Sequence, residues 1–272
     1  MLHDITSEYI THVIQRSDIS RYENAYPSLF NHYKEYWSGA NVHKETSIED
    51  IQSQTRLIRS RLPIIFSNLQ KIGLNGNEVD LVLFVGRNAS NGHAFRDNDK
   101  FIVWIPVETY HTELQADIFI THEIVHALHY QNIPEFYFSS LEEKHSFSRQ
   151  IISEGLATYI SMIVAQCDEP NALWADYLSQ SAAQHWLGQC DALKKELFRY
   201  TYENFYSSPA DNDFFSTVDV SNIKRYRGGY YDGLRVIRHI AETNKYNAND
   251  LLTMNRQEIE ISVYETLKKI VS

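Results

Sequence analysis

Cysteine is nearly absent: Cys167 and Cys190 are the two in 272 residues. That is too few for a secreted scaffold held by disulfides, and without a C-x-x-C pair there is no thiolate zinc site. Both are expected to be reduced thiols. A run of apolar residues long enough to span a bilayer is also missing. The opening stretch MLHDITSEYITHVIQRSDIS scatters charge through the region where a signal peptide needs a continuous apolar core. These absences point to a soluble, cytoplasmic protein with no membrane partner. Positive charge is in deficit, with 25 Lys and Arg against 35 Asp and Glu and a formal charge of -10. Such a balance repels a phosphate backbone, and no dense basic run reverses it locally, so nucleic acid is excluded as an expected partner. No internal repeat or low-complexity tract is found. With 43% hydrophobic residues the chain can instead bury a large core.

The periodicity divides the chain into three stretches. Residues 1–72 read as an N-terminal helical region, because ISRYENAYPSLFNHYKEYW and IEDIQSQTRLIRSRLPIIFSNLQKI space apolar residues at three and four on either side of the turn-like WSGAN. The period then shortens. EVDLVLFVG (78–86) and FIVWIPV (101–107) are short β-branched and aromatic runs bounded by the turn signals LNGN, RNASNG and RDND, and GHAF (92–95) reads as one arm of a hairpin. Helical spacing returns in HTELQADIFITHEIVHALHYQN, closed by Pro134, and in LEEKHSFSRQIISEGLATYISMIVAQ. These elements make residues 73–166 a core with a small mixed sheet. Residues 167–272 read as a C-terminal helical region, broken at FYSSPADND and at RGG (227–229).

Within the first core helix, THEIVHALHY places His122, Glu123 and His126 in the pattern H-E-x-x-H. Residues four apart on a helix share a face, so both imidazoles can be directed at one ion about 2.0–2.1 Å from each ring nitrogen. Glu123, beside the first ligand, can reach a water at that ion without binding the ion itself, which is where a general base is needed. Chance and a packing histidine pair are the competing explanations. The apolar neighbours Ile124, Val125, Ala127 and Leu128 weigh against them, since they put the motif in a buried helix.

A catalytic zinc site takes a third protein ligand and keeps one position open. Glu135, Glu142, Glu143, His145 and Glu154 are the candidates downstream, and Glu154 is the strongest. It lies at mid-helix in ISEGLATYIS, where Gly155 and Ala157 allow another helix to come close. A solvated glutamate on a helix face is its alternative. Glu142 and Glu143 read as the charged start of that helix. His129 would need helix distortion to join the other two histidines. The longer motif H-E-x-x-H-x-x-G-x-x-H is excluded, because positions 129 and 132 are His and Asn. Two imidazoles, one carboxylate and an open position favour one Zn²⁺ per chain.

HEIVH followed by the Glu of SEGLATY resembles the gluzincin class of zinc metallopeptidases. More narrowly, THEIVHALHY, IISEGLATYIS and GGYYDGLRVI resemble the bacterial predicted zinc-dependent proteases with H-E-x-x-H, E-G-L-A and G-Y-x-x-G motifs, over residues 79–165 and 226–240. The resemblance implies an α+β, zincin-like (thermolysin-like) core flanked by N- and C-terminal helices. It also implies His122, His126 and Glu154 as metal ligands and Glu123 as base. Where thermolysin-like members carry an Asp that orients the first histidine, this chain has Thr158, whose hydroxyl can accept the same hydrogen bond more weakly. Tyr230 matches the family's G-Y-x-x-G and is the expected donor to the developing oxyanion, with Tyr231 and His239 behind it. Substrate peptides in zincins commonly lie antiparallel along a sheet edge, a position that Asn91, Gly92, His93 and Ala94 resemble.

The function expected is zinc-dependent hydrolysis of a peptide or protein substrate. The alternatives are a zinc hydrolase of a non-peptide amide or ester, and a non-catalytic module in which four protein ligands, His129 or His145 among them, close the metal site.

Overall fold

The computed structural model describes residues 1–37, 46–86, 90–209 and 212–272, so most of WSGAN, the first residues of RNASNG and part of FYSSPADND lie outside the described residues. It is an α+β structure of two compact units. One comprises residues 1–71 with 75–131, the other residues 72–74 with 132–272.

The first unit is built on a four-stranded mixed sheet ordered β1-β2-β4-β3, with β1 Leu2–Asp4, β2 Asp80–Phe84, β3 His93–Asp97 and β4 Lys100–Pro106. β2 runs parallel to β1 and to β4, while β3 is antiparallel to β4 in the register His93↔Trp104 to Asp97↔Lys100. The hairpin expected around RDND therefore forms. Val82, Leu83, Phe84, Val103, Trp104 and Ile105 are fully buried, which explains why these strands read as continuous apolar runs rather than as alternating ones. Leu2–Asp4 departs from the helical reading of the N-terminal region. Three residues are too short to show a period, and their strand exists only because β2 offers a ladder to join.

Aromatic edges dock helix α1 (Pro27–Tyr36) on this sheet. Phe30 meets Phe84 at 5.9 Å and Tyr33 meets Trp104 at 5.5 Å, both edge to face, an arrangement worth about 0.5–1.5 kcal/mol per pair beyond burial. The buried Tyr22 hydroxyl donates to the Val85 carbonyl at 3.0 Å and accepts from the Val85 amide at 2.7 Å. It satisfies the backbone just past the end of β2. The expected helix around IEDIQ is α2 (Ile48–Lys71), whose buried stripe Ile51, Ile58, Leu62, Ile65 and Leu69 keeps the helical period. The unit ends in α3 (Thr121–Asn132), entered through a π-helical turn at Ala116–Ile120. Sequence spacing gave no sign of that turn.

The second unit is helical. The expected helix over 141–166 is in two parts: a short turn at Leu141–Lys144, capped by Ser140, and α4 (Phe147–Ala165). It continues through α5 (Glu169–Trp174), α6 (Gln180–Ala192), α7 (Lys194–Asn204), α8 (Gly228–Asn244) and α9 (Arg256–Val271). α4 and α8 meet at glycines. A Cβ on Gly155 would lie 2.6 Å from the Gly233 carbonyl oxygen, and one on Gly233 would lie 2.8 Å from the Ile151 oxygen. The first and last residues of G-Y-x-x-G therefore belong to a helix start and a helix crossing. Both cysteines are free thiols. Burial first and Asp168 second push Cys167 up to about 11, and burial with Asp232 and Asp191 raises Cys190 further. No helix of the described residues is long and apolar enough to cross a membrane.

Candidate metal centre

α3 puts His122 and His126 one above the other, both buried, with their Nε2 atoms 3.1 Å apart. Two nitrogens bound to one tetrahedral ion at about 2.0–2.1 Å would stand roughly 3.3–3.4 Å apart, so little adjustment separates this pair from ligand spacing. Their rings are nearly perpendicular, at 81°, and the His126 ring stacks on Tyr130 at 5.6 Å. Without a metal, one ring donates Nε2–H to the Nε2 lone pair of the other, so the pair is satisfied as a hydrogen bond and stands close to the spacing of two ligands. Glu123 sits on the same helix and is half-buried.

Glu154, half-buried, is carried by α4 among the fully buried Ile151, Ile152, Leu156 and Ala157. One ligand atom from each of His122, His126 and Glu154 lies within 4.8 Å of the others, so these residues form a group able to hold a metal ion. Two imidazoles and a carboxylate make a donor set that suits zinc. The other candidates have different employment. Glu143 accepts from the Ser139 amide at 2.6 Å and hydroxyl at 2.8 Å, which holds its carboxyl below the usual range. Glu142 is exposed, and His145 caps the turn at Leu141–Lys144.

The remaining expected site residues are placed as follows. Thr158 is buried, and its hydroxyl has no hydrogen-bond partner among the described residues, so the bond expected of it is not formed. Gly92 packs directly on Glu123: a Cβ there would lie 2.6 Å from its Cγ. The Asn91 carbonyl accepts from the Tyr110 hydroxyl and the Gly92 carbonyl from the Ser90 hydroxyl, while the Gly92 amide donates to Ser90 Oγ at 3.1 Å. Those main-chain groups are already engaged, which leaves His93 and Ala94 as the part of this segment that lies on the edge strand β3. Tyr230 is half-buried near the start of α8, with the Phe215 ring at 5.6 Å. Tyr231 is fully buried and its hydroxyl donates to Asp191 at 2.6 Å, a packing role, while His239 is exposed.

Arg227 was not singled out from the sequence, where RGG served only as a break. It has φ +59, the left-handed region rarely used by residues with a side chain, and it precedes the first residue of α8. Its Cζ lies 4.1 Å from the Tyr230 ring centroid and 4.9 Å from that of Trp174. Burial lowers its pKa from the usual arginine range, and neighbouring Tyr230 and Glu154 oppose that shift.

Residues 68–260 match the model of a family described as a predicted Zn-dependent protease (DUF2268). The match takes in the hairpin, H-E-x-x-H, Glu154 and G-Y-x-x-G, and the chain belongs to this family. No curated protein and no solved structure is similar enough to match.

Proposed function

We propose that the chain is a gluzincin-type zinc peptidase with His122, His126 and Glu154 as metal ligands and Glu123 as general base. The observation that carries this reading is the convergence of two imidazole nitrogens and one carboxylate oxygen within 4.8 Å, in a chain of a predicted Zn-dependent protease family. A metal held there would polarise the scissile carbonyl and lower the pKa of water toward neutrality. Glu123 takes the proton from the attacking water and returns it to the leaving amine as the C–N bond breaks, so no net proton is consumed by the protein. Packing against Gly92 fixes where its carboxylate can point. Tyr230 donates its hydroxyl hydrogen to the oxyanion that forms at the carbonyl. The edge strand β3, from His93 and Ala94 onward, pairs with an extended substrate by main-chain hydrogen bonds, as an antiparallel edge can do without regard to side chain.

The test is Glu123→Gln. The purified variant keeps about one zinc per chain and loses peptide hydrolysis by about 10²-fold or more, as expected for removal of a general base that is not a ligand. Hydrolysis retained with zinc in place removes Glu123 from the chemistry.

A further inference from the structure

Five of the seven arginines in the second unit have a hydrogen bond or ion pair, and Arg199, which has neither among the described residues, is exposed. Arg149 donates to the Glu143, Phe136 and Lys144 carbonyls at 3.0–3.1 Å. Arg235 pairs with Glu169 and Asp191, Arg238 with Glu169, Arg225 with Asp213 and Arg256 with Glu260. Arg227 differs. Its Nε is buried with no hydrogen-bond partner, as is that of Arg235, but unlike Arg235 it has no ion pair among the described residues. Its charge is held over two aromatic rings, Tyr230 and Trp174, which stabilise a cation without using any of its N–H donors. The left-handed backbone at φ +59 is itself unfavourable for an arginine. A planar fork of donors that is half-buried, stacked on two rings and joined to no carboxylate by an ion pair among the described residues is able to receive a carboxylate in two parallel hydrogen bonds. Glu154 opposes the lowering of the Arg227 pKa, and no ion pair joins the two among the described residues.

Resting on the peptidase reading above, we propose that Arg227 binds a carboxylate group of the substrate beside Glu154, so that the enzyme prefers peptides bearing a free carboxylate near the bond it cleaves. The carboxylate has two possible sources, the peptide's C-terminus or an Asp or Glu side chain. Tyr230 and Trp174 hold the guanidinium in place and make it a specificity residue rather than a packing one.

The experiment uses the full chain loaded with zinc and carrying Glu123→Gln, so that bound peptides are not consumed. It is offered random tetrapeptides in three forms: neutral side chains with a free C-terminal acid, neutral side chains with a C-terminal amide, and a C-terminal amide with one Asp or Glu. Captured peptides are identified by mass spectrometry. One of the two carboxylate-bearing forms is enriched about ten-fold or more over the neutral amides, the gain expected of one charge-assisted bidentate pair, and which form it is names the source. Arg227→Gln abolishes that preference, and Arg227→Lys recovers part of it, with zinc content unchanged in both. Equal capture of neutral amides and carboxylates by the Arg227 chain overturns the proposal, and needs no Arg227 variant to be stable. Cleavage of all three forms by the wild-type enzyme at equal rates also overturns it while leaving the peptidase reading intact. Carboxylate preference in a wild-type chain that holds zinc but cleaves nothing would instead support the binding role of Arg227 and refute the peptidase.

Discussion

Gly155→Ala probes the contact that carries Glu154. A Cβ at residue 155 would lie 2.6 Å from the Gly233 carbonyl oxygen, 2.7 Å from its carbonyl carbon and 2.8 Å from Ile237 Cγ1. Two of these three atoms are backbone, so no rotamer change relieves the clash. α4 and α8 must separate by roughly 0.8 Å to restore ordinary contact, and overpacking of that kind costs about 1–3 kcal/mol. The helical preference of alanine over glycine returns about 0.5–1 kcal/mol. The net is destabilisation of about 1–2 kcal/mol, read by calorimetry as a fall in Tm of about 2–8 °C for a chain of this size. Gly188→Ala is the matched control, since Gly188 is exposed on α6 and a Cβ there meets nothing within 4 Å. It raises Tm by about 1–4 °C, because only the propensity gain remains. A Gly155→Ala protein as stable as wild type refutes the reasoning that these helices are held together by their missing side chains.

Two further outcomes are expected. Gly92→Ala displaces Glu123, whose Cγ it would meet at 2.6 Å; kcat falls about 10²-fold, the scale of a 1 Å misplacement of a catalytic group, while zinc content stays at the wild-type value. Unchanged kcat would show that Glu123 has room to move. Asp232 is fully buried, and that burial holds its carboxyl well above the usual range, against the opposing hydrogen bond from Thr201. The folded chain thus keeps a proton that the unfolded chain releases above about pH 4. Stability from this group is full below that pH and is lost as pH rises, at about 1.4 kcal/mol per unit until the folded-state pKa is reached. Urea midpoints of Asp232→Asn should therefore gain on wild type between pH 5 and pH 8, and a pH-independent gap would contradict the assignment.

What the sequence disclosed follows local physics. Helices α2, α3 and α4 were legible because each repeats the helical period, and the hairpin at His93–Pro106 because short β-branched and aromatic runs are bounded there by turn signals. β1 was not, because Leu2–Asp4 depends on a partner strand 79 residues away. The π-helical turn before Thr121 has the same apolar spacing as the helix it joins. H-E-x-x-H encodes its geometry in one helical turn, so the His122 and His126 pairing could be read directly. The role of Gly155 as an approach point for a helix was also legible, but not that Gly233 is the residue that approaches. Arg227 could not be found from spacing, because its stacking on two rings with no ion pair among the described residues is a property of the folded chain. A clue was present in RYRGGYY, a cation among aromatics at a helix start.

The most direct test of the account is the zinc absorption-edge spectrum of the full chain loaded with one equivalent of zinc. The expected spectrum shows two imidazole nitrogens and light oxygen scatterers at about 2.0–2.2 Å, with one nitrogen lost in His126→Ala and one oxygen lost in Glu154→Ala. A sulfur shell at about 2.3 Å, or a spectrum indifferent to both substitutions, would contradict a centre built from His122, His126 and Glu154.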